Sequence, residues 1–251
     1  MTECDDDVWR NEIAIEGEAT GDLFNHPYFR QWSQLNEEEK LCFHDIWNSV
    51  VLVETPTGRG TGFCHLLGGT QYLITNKHVI RRDSSHDYAS NEISLIFNYN
   101  APGMGVKYTT LVKDIRFSGV SSTSIDYALL ELNCLVSTLV NAIPTNASPI
   151  ECSRVDYLLQ RSPSNFYMIG HPNGGPKCIS SLPDASLSSD KLFFVYDNHK
   201  SRPGSSGSPV VNSHIDPAVS PTMVPFLHFF SGKAILIASM NEDIRSTKQS
   251  S

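Results

Sequence analysis

At 251 residues, with 40% apolar and 10% aromatic side chains, the chain has length for one large domain or two modest ones, and its composition is not that of a disordered protein. Its longest apolar runs, such as residues 223–230 and 234–238, fall well short of the ~20 residues that a membrane-spanning helix needs. The net charge of −8, from 19 basic against 27 acidic residues, leaves no basic footprint for a nucleic acid, so the expectation is a soluble globular protein that binds neither nucleic acid nor membrane.

The opening MTECDDDVW has neither the basic n-region nor the apolar h-region of a secretory signal, and implies an intracellular protein, cytoplasmic or nuclear. Cysteines at 4, 42, 64, 134, 152 and 178 are irregularly spaced with no CxxC pair. They suggest idle thiols rather than a zinc site or a disulfide framework, and no metal or cofactor is expected. Residues 1–47 read as an extension with one helix: Asn36 is an N-cap, Glu39 closes a capping box, and the helix runs to about Asn48 with Leu41, Ile46 and Trp47 on one face.

From there the texture changes to short runs rich in Val, Ile, Leu, Phe, Tyr and Thr between Gly, Pro, Asn and Asp. Twelve strands are predicted, at 49–54, 61–67, 71–75, 92–97, 108–113, 126–132, 165–170, 176–181, 191–197, 208–212, 223–230 and 233–239. That many brief strands indicate a barrel or sandwich. The breaker-rich NAIPTNASP at 141–149 divides them about equally, residues 98–106 and 182–190 read as loops, and 241–251 reads as a polar tail.

The chemistry begins with RPGSSGSPVV at 202–211. Acyl transfer by a serine requires a base, a group that orients the base, and donors for the developing oxyanion. A Gly-x-Ser turn can aim the backbone N–H groups of Gly204 and Ser206 at one point while presenting the Ser206 hydroxyl. His78, in YLITNKHVI where a strand gives way to a turn, is the candidate base, and Asp126, opening SIDYALLEL, is the candidate orienter.

The order His78, Asp126, Ser206, with GTGF at 60–63, LITNKHVI at 73–80, DYALLEL at 126–132, IGHP at 169–172 and PGSSGSP at 203–209, resembles the trypsin-like peptidases of the chymotrypsin fold. It is most similar to the branch containing the high-temperature-requirement proteases and related intracellular trypsin-like domains. The resemblance spans residues 48 to about 240 and implies an all-β fold of two six-stranded antiparallel β-barrels, about 48–140 and 150–240, with the triad between them. It implies a serine endopeptidase acting on protein or peptide substrates, with Gly204 and Ser206 forming the oxyanion hole. The alternative is a protease-fold protein with a silent triad that serves as a binding or assembly module.

Departures from the secreted digestive relatives are informative. Ser205 stands where those proteins carry an aspartate that pairs with a newly cut N-terminus, and Val79 stands where they carry a disulfide cysteine after the histidine. Both fit a reduced setting without zymogen cleavage. The resemblance places Lys200 at the base of the primary pocket and His228 and Phe229 on its wall. A lysine or histidine there favours an acidic or amide side chain, whereas the phenylalanines at 229 and 230 favour an apolar one.

Overall fold

The computed structural model describes residues 27–67, 70–83, 85–120, 126–133, 143–144, 166–183, 185–187, 194–196, 201–212, 226–228 and 233–236. In chain order the strands are β1 (Phe29–Arg30), β2 (Val50–Thr55), β3 (Gly58–Leu67), β4 (Thr70–Thr75), β5 (Ser94–Phe97), β6 (Val106–Tyr108), β7 (Val112–Val120) and β8 (Asp126–Leu132). They continue as β9 (Ile143–Pro144), β10 (Phe166–Gly170), β11 (Cys178–Ser181), β12 (Ser186–Leu187), β13 (Phe194–Val195), β14 (Pro209–Asn212), β15 (Phe226–His228) and β16 (Lys233–Leu236). Helix α1 (Glu37–Ser49) precedes β2, and the single turn α2 (Lys77–Ile80) follows β4.

The strands form two sheets, ordered β6-β5-β2-β3-β4-β8-β7, with β9 alongside β3, and β1-β11-β10-β14-β15-β16-β13-β12. Among the described residues all pairings are antiparallel except the short β3–β9 contact, and the curled antiparallel arrangement is consistent with the chymotrypsin fold. The predicted strand at 108–113 is a correction: the chain there ends β6 at Tyr108, turns, and starts β7 at Val112. Strand β1 and the two-residue β12, inside a predicted loop, are additions that local sequence did not show.

Strands β2, β4 and β8 of the first sheet are buried on both faces, which is why their sequences show no strict polar alternation, whereas the edge strand β6 is largely exposed. On one side Val51, Val53, Cys64, Leu73, Leu95, Ala128 and Leu130 fill the sheet's own core with Val79 and Ile80 of α2. On the other, Phe63, Ile74, Tyr127 and Leu129 meet Ile169, Ile179 and Val211 of the second sheet, and α1 inserts Phe43, Ile46 and Trp47 into the same cluster. Residues 35–47 of the extension therefore contribute to the core that joins the sheets.

The capping box of α1 is present: Asn36 Oδ1 accepts from Glu39 N–H at 2.8 Å, and Asn36 N–H donates to Glu39 Oε2 at 3.0 Å. Arg30 adds a two-pronged contact to the same carboxylate, at 2.8 and 3.2 Å, and holds it below the usual glutamate range. Leu41 departs from expectation, being 82% exposed. It lies five residues from Ile46, off the i, i+3, i+4 stripe that Phe43, Ile46 and Trp47 define. At the other end of α1, the buried Lys177 ammonium donates to the Trp47 carbonyl at 2.6 Å and sits 5.3 Å from the Trp47 ring centroid.

Candidate active site

His78 rides on α2 immediately after the buried strand β4, and Asp126 is the first residue of β8, which pairs with β4. That pairing brings them together. His78 N–H donates to Asp126 Oδ1 at 3.0 Å, and its ring Nδ1 makes a short hydrogen bond to Asp126 Oδ2. Asn76, the N-cap of α2, donates from Nδ2 to the Asp126 carbonyl at 2.7 Å, so backbone and side chain of the aspartate are both fixed. Both His78 and Asp126 are 2% exposed. The carboxylate thus holds the imidazole with its Nδ1 turned inward, leaving Nε2 as the ring nitrogen available in principle for proton transfer.

Ser206 sits on the second sheet's side, in a pair of tight turns preceding β14. In the first, the Arg202 carbonyl accepts from Ser205 N–H at 2.9 Å around Pro203 and Gly204, the latter at φ +85°. Proline presets the first central position and glycine takes the positive φ of the second, the pattern of a type II turn. In the second, the Ser205 carbonyl accepts from Ser208 N–H at 3.0 Å, with Gly207 at φ +88°.

A trans peptide is planar, so its C=O and N–H point in opposite directions. Asn173 N–H holds the Pro203 carbonyl at 2.6 Å, and the Gly204 N–H therefore points away from residue 173. By the same argument the Ser205 carbonyl, held by Ser208, turns the Ser206 N–H to the opposite side. Among the described residues, neither the Gly204 N–H nor the Ser206 N–H donates a hydrogen bond, although both residues are buried. The Ser206 hydroxyl is also buried and has no hydrogen-bond partner among the described residues. Unsatisfied buried polar groups are rare enough that three around one turn require a reason.

Thr61 of β3 links this turn to the first sheet. Its Oγ1 donates to the Gly204 carbonyl at 2.7 Å and accepts from His171 N–H at 2.9 Å; its own N–H donates to the Ser206 carbonyl at 2.8 Å. The Thr61 carbonyl in turn accepts from Thr75 Oγ1 at 2.7 Å, at the end of β4 three residues before His78. Sequence reasoning quoted Thr61 only as part of GTGF and gave it no role. His171 is locked by an Nδ1–H bond to the Gly175 carbonyl at 2.9 Å, and burial, helped by Lys177, pushes its pKa down to about 3, so the ring is neutral.

His228, predicted on the pocket wall, is wholly buried. Its carbonyl accepts from Gly207 N–H at 3.2 Å and its N–H donates to the Ser208 carbonyl at 2.8 Å, so β15 braces the turn that carries Ser206. Its Nδ1 makes a short hydrogen bond with the Tyr196 hydroxyl, a partner that sequence spacing did not reveal. Lys200 and Phe229 lie outside the described residues. No group of three or more His, Cys, Asp or Glu arranged to hold a metal occurs among the described residues.

The chain is similar in fold to a solved structure. The serine endoprotease from Yersinia pestis superposes with a TM-score of 0.50 at 18% identity, over 84% of this chain and 66% of that one. Deg5 follows with a TM-score of 0.49 at 19% identity, over 83% of this chain and 94% of that one. At such identities the first likeness speaks for the fold alone. A search of curated protein sequences finds no match. The family model for the trypsin-like peptidase domain matches residues 60–215, more than half of the chain, and carries every turn described above. The chain belongs to the trypsin-like peptidase domain family.

Proposed function

We propose that this protein is a serine endopeptidase that uses Ser206 as nucleophile, His78 as general base and acid, and Asp126 as the group that orients His78. The observation that carries the reading is the two-point contact between His78 and Asp126, through the backbone N–H and through Nδ1. In the first step Ser206 Oγ attacks the peptide carbonyl carbon while its proton passes to His78 Nε2. The carbonyl oxygen becomes an oxyanion facing the Gly204 and Ser206 N–H groups. Collapse of this intermediate breaks the C–N bond, and His78 returns the proton to the leaving amine. Water then attacks the acyl-enzyme ester, giving its proton to His78, and the ester C–O bond breaks as Ser206 recovers it.

The unpartnered state of those two N–H groups supports an oxyanion hole shaped before substrate arrives, since donors fixed in advance need no reorganisation during reaction. For the primary pocket, the buried imidazole of His228, engaged by Tyr196 on the strand that braces the turn, supports an acidic or amide side chain over an apolar one. Lys200 and Phe229 complete the proposed pocket. The two sheets are read as the two barrels, at about 48–140 and 150–240, each with six main strands, to which β6, β1 and β12 add at sheet edges and β9 beside β3; 1–47, which supplies β1, is read as extension and 241–251 as tail. A reduced, intracellular setting, cytoplasmic or nuclear, is part of this reading, supported by Val79 and Ser205 at positions where the secreted digestive relatives carry a disulfide cysteine and an aspartate.

The test is turnover of a denatured protein substrate by wild type and Ser206→Ala. The variant should lose about 10⁴-fold or more, the scale of known triad knockouts. Full activity in Ser206→Ala would refute the assignment.

A further inference from the structure

We infer that Phe29 is a positioning residue for the oxyanion turn, acting through Arg202; the inference rests on the peptidase reading above. Phe29 lies in β1, upstream of the residues the family model matches. Its strand is added to the edge of the second sheet, Phe29 opposite Ser180 and Arg30 opposite Ile179. The ring is 3% exposed and packs on Cys178. The Arg202 guanidinium carbon sits 5.8 Å from the ring centroid, within the reach of a cation–π contact.

Arg202 is the first residue of the turn that presents Gly204. Its carbonyl accepts from Ser205 N–H at 2.9 Å, its N–H donates to Ser205 Oγ at 3.3 Å, and its Nη1 donates to the Ser201 carbonyl at 2.9 Å. A shift of Arg202 therefore moves the Pro203–Gly204 peptide, whose N–H is one of the two oxyanion donors. The ring that holds Arg202 is itself anchored, because Arg30 next to it grips Glu39 inside the capping box of α1. Neutral Ser205 can form no ion pair with a chain terminus, so charge at that position does not order the turn. The extension supplies order instead, along the path α1, Arg30, Phe29, Arg202, Gly204.

The test uses the full chain with Phe29→Ala, Phe29→Tyr, Arg202→Met and the double variant Phe29→Ala/Arg202→Met. Each is titrated for active sites with a fluorophosphonate, and kcat and KM are measured on a peptide substrate the wild type cleaves. Phe29→Ala should lower kcat per titrated site by about 3- to 30-fold with KM within about twofold, the range a cation–π contact spans from exposed to desolvated. Phe29→Tyr, which keeps the ring, should restore kcat. Arg202→Met, which retains the packed stem, should show a similar loss, and the double variant should lose little more than either single one. A merely structural role would reduce the titratable fraction and leave kcat per site unchanged. If Phe29→Ala does not fold, Arg202→Met decides: unchanged kcat per site overturns the inference. So do losses that simply multiply in the double variant. A wild type inert to both probe and peptide overturns the peptidase reading and this inference with it.

Discussion

Thr61→Val exchanges a hydroxyl for a methyl at nearly constant shape, at a residue with no exposed surface. The lost hydroxyl donates to the Gly204 carbonyl at 2.7 Å and accepts from His171 N–H at 2.9 Å, and both groups are buried. Valine answers neither. An orphaned buried group costs about 1–3 kcal/mol, so two cost roughly 2–6 kcal/mol, a large share of the about 5–15 kcal/mol that a domain has in total. Thr61→Ser keeps the hydroxyl and gives up one methyl, about 1 kcal/mol. Catalysis should suffer too, because the freed Gly204 carbonyl lets the oxyanion turn relax. Removing one oxyanion donor outright costs about 10²–10³-fold, and a loosened donor should lose up to about 10²-fold in kcat. Urea unfolding followed by tryptophan fluorescence suits the question, since the buried Trp47 ring and the half-buried Trp32 ring packed on it, 5.0 Å apart and tilted, report on the core that joins the sheets. A Thr61→Val protein within 0.5 kcal/mol of wild type by the usual surface-substitution scatter of about 0.5 kcal/mol, with undiminished turnover, would refute the reasoning.

Gly207→Ala should be severe, because φ is +88° and a new Cβ would stand 1.9 Å from the Thr61 carbonyl oxygen. Left-handed strain of about 1–2 kcal/mol and overpacking of about 1–3 kcal/mol should appear together in the urea midpoint; an unchanged midpoint would show that the turn can move aside. Stability should also fall with acid. Burial pushes His65 down to about 4 and His171 to about 3, below the unfolded value near 6.5. The unfolded chain therefore takes up protons first, so this stability is complete above about pH 6.5 and is lost as pH falls toward 4 for His65 and 3 for His171. A urea midpoint that stays flat from pH 6.5 to 4 contradicts the buried, neutral state of both rings. In a peptide library, cleavage should follow Asp, Glu or Gln; cleavage after Phe or Leu alone removes the proposed role of His228.

What could be read locally was read well. The run DYALLEL, apolar at five of its seven positions, gave β8 to the residue, because a strand buried on both faces needs no strict polar alternation. The Asn36–Glu39 capping box gave the start of α1 because its hydrogen bonds lie within three residues. Leu41 was misplaced because the sequence shows several apolar positions and only the neighbouring sheets decide which stripe they cover. Strand β1 is two residues long and exists only through pairing with β11, far along the chain. The site divides the same way. Of the proposed triad, His78 and Asp126 are joined as their two motifs suggested, whereas Thr61 is tied to His171 and Gly204 across 110 and 143 residues of chain and left no local trace. Tyr196 is likewise tied to His228 across 32 residues by a side-chain contact alone.

The proposed peptidase requires the turn at 202–208 to present a reactive serine beside working oxyanion donors. The most direct measurement is labelling of the purified wild-type chain by a fluorophosphonate, read by intact mass, beside Ser206→Ala. One adduct is expected on the wild type, mapped to Ser206, and none on the variant. A folded wild type that stays unlabelled, or an adduct that persists in Ser206→Ala, would contradict it and leave the protease fold as a binding module.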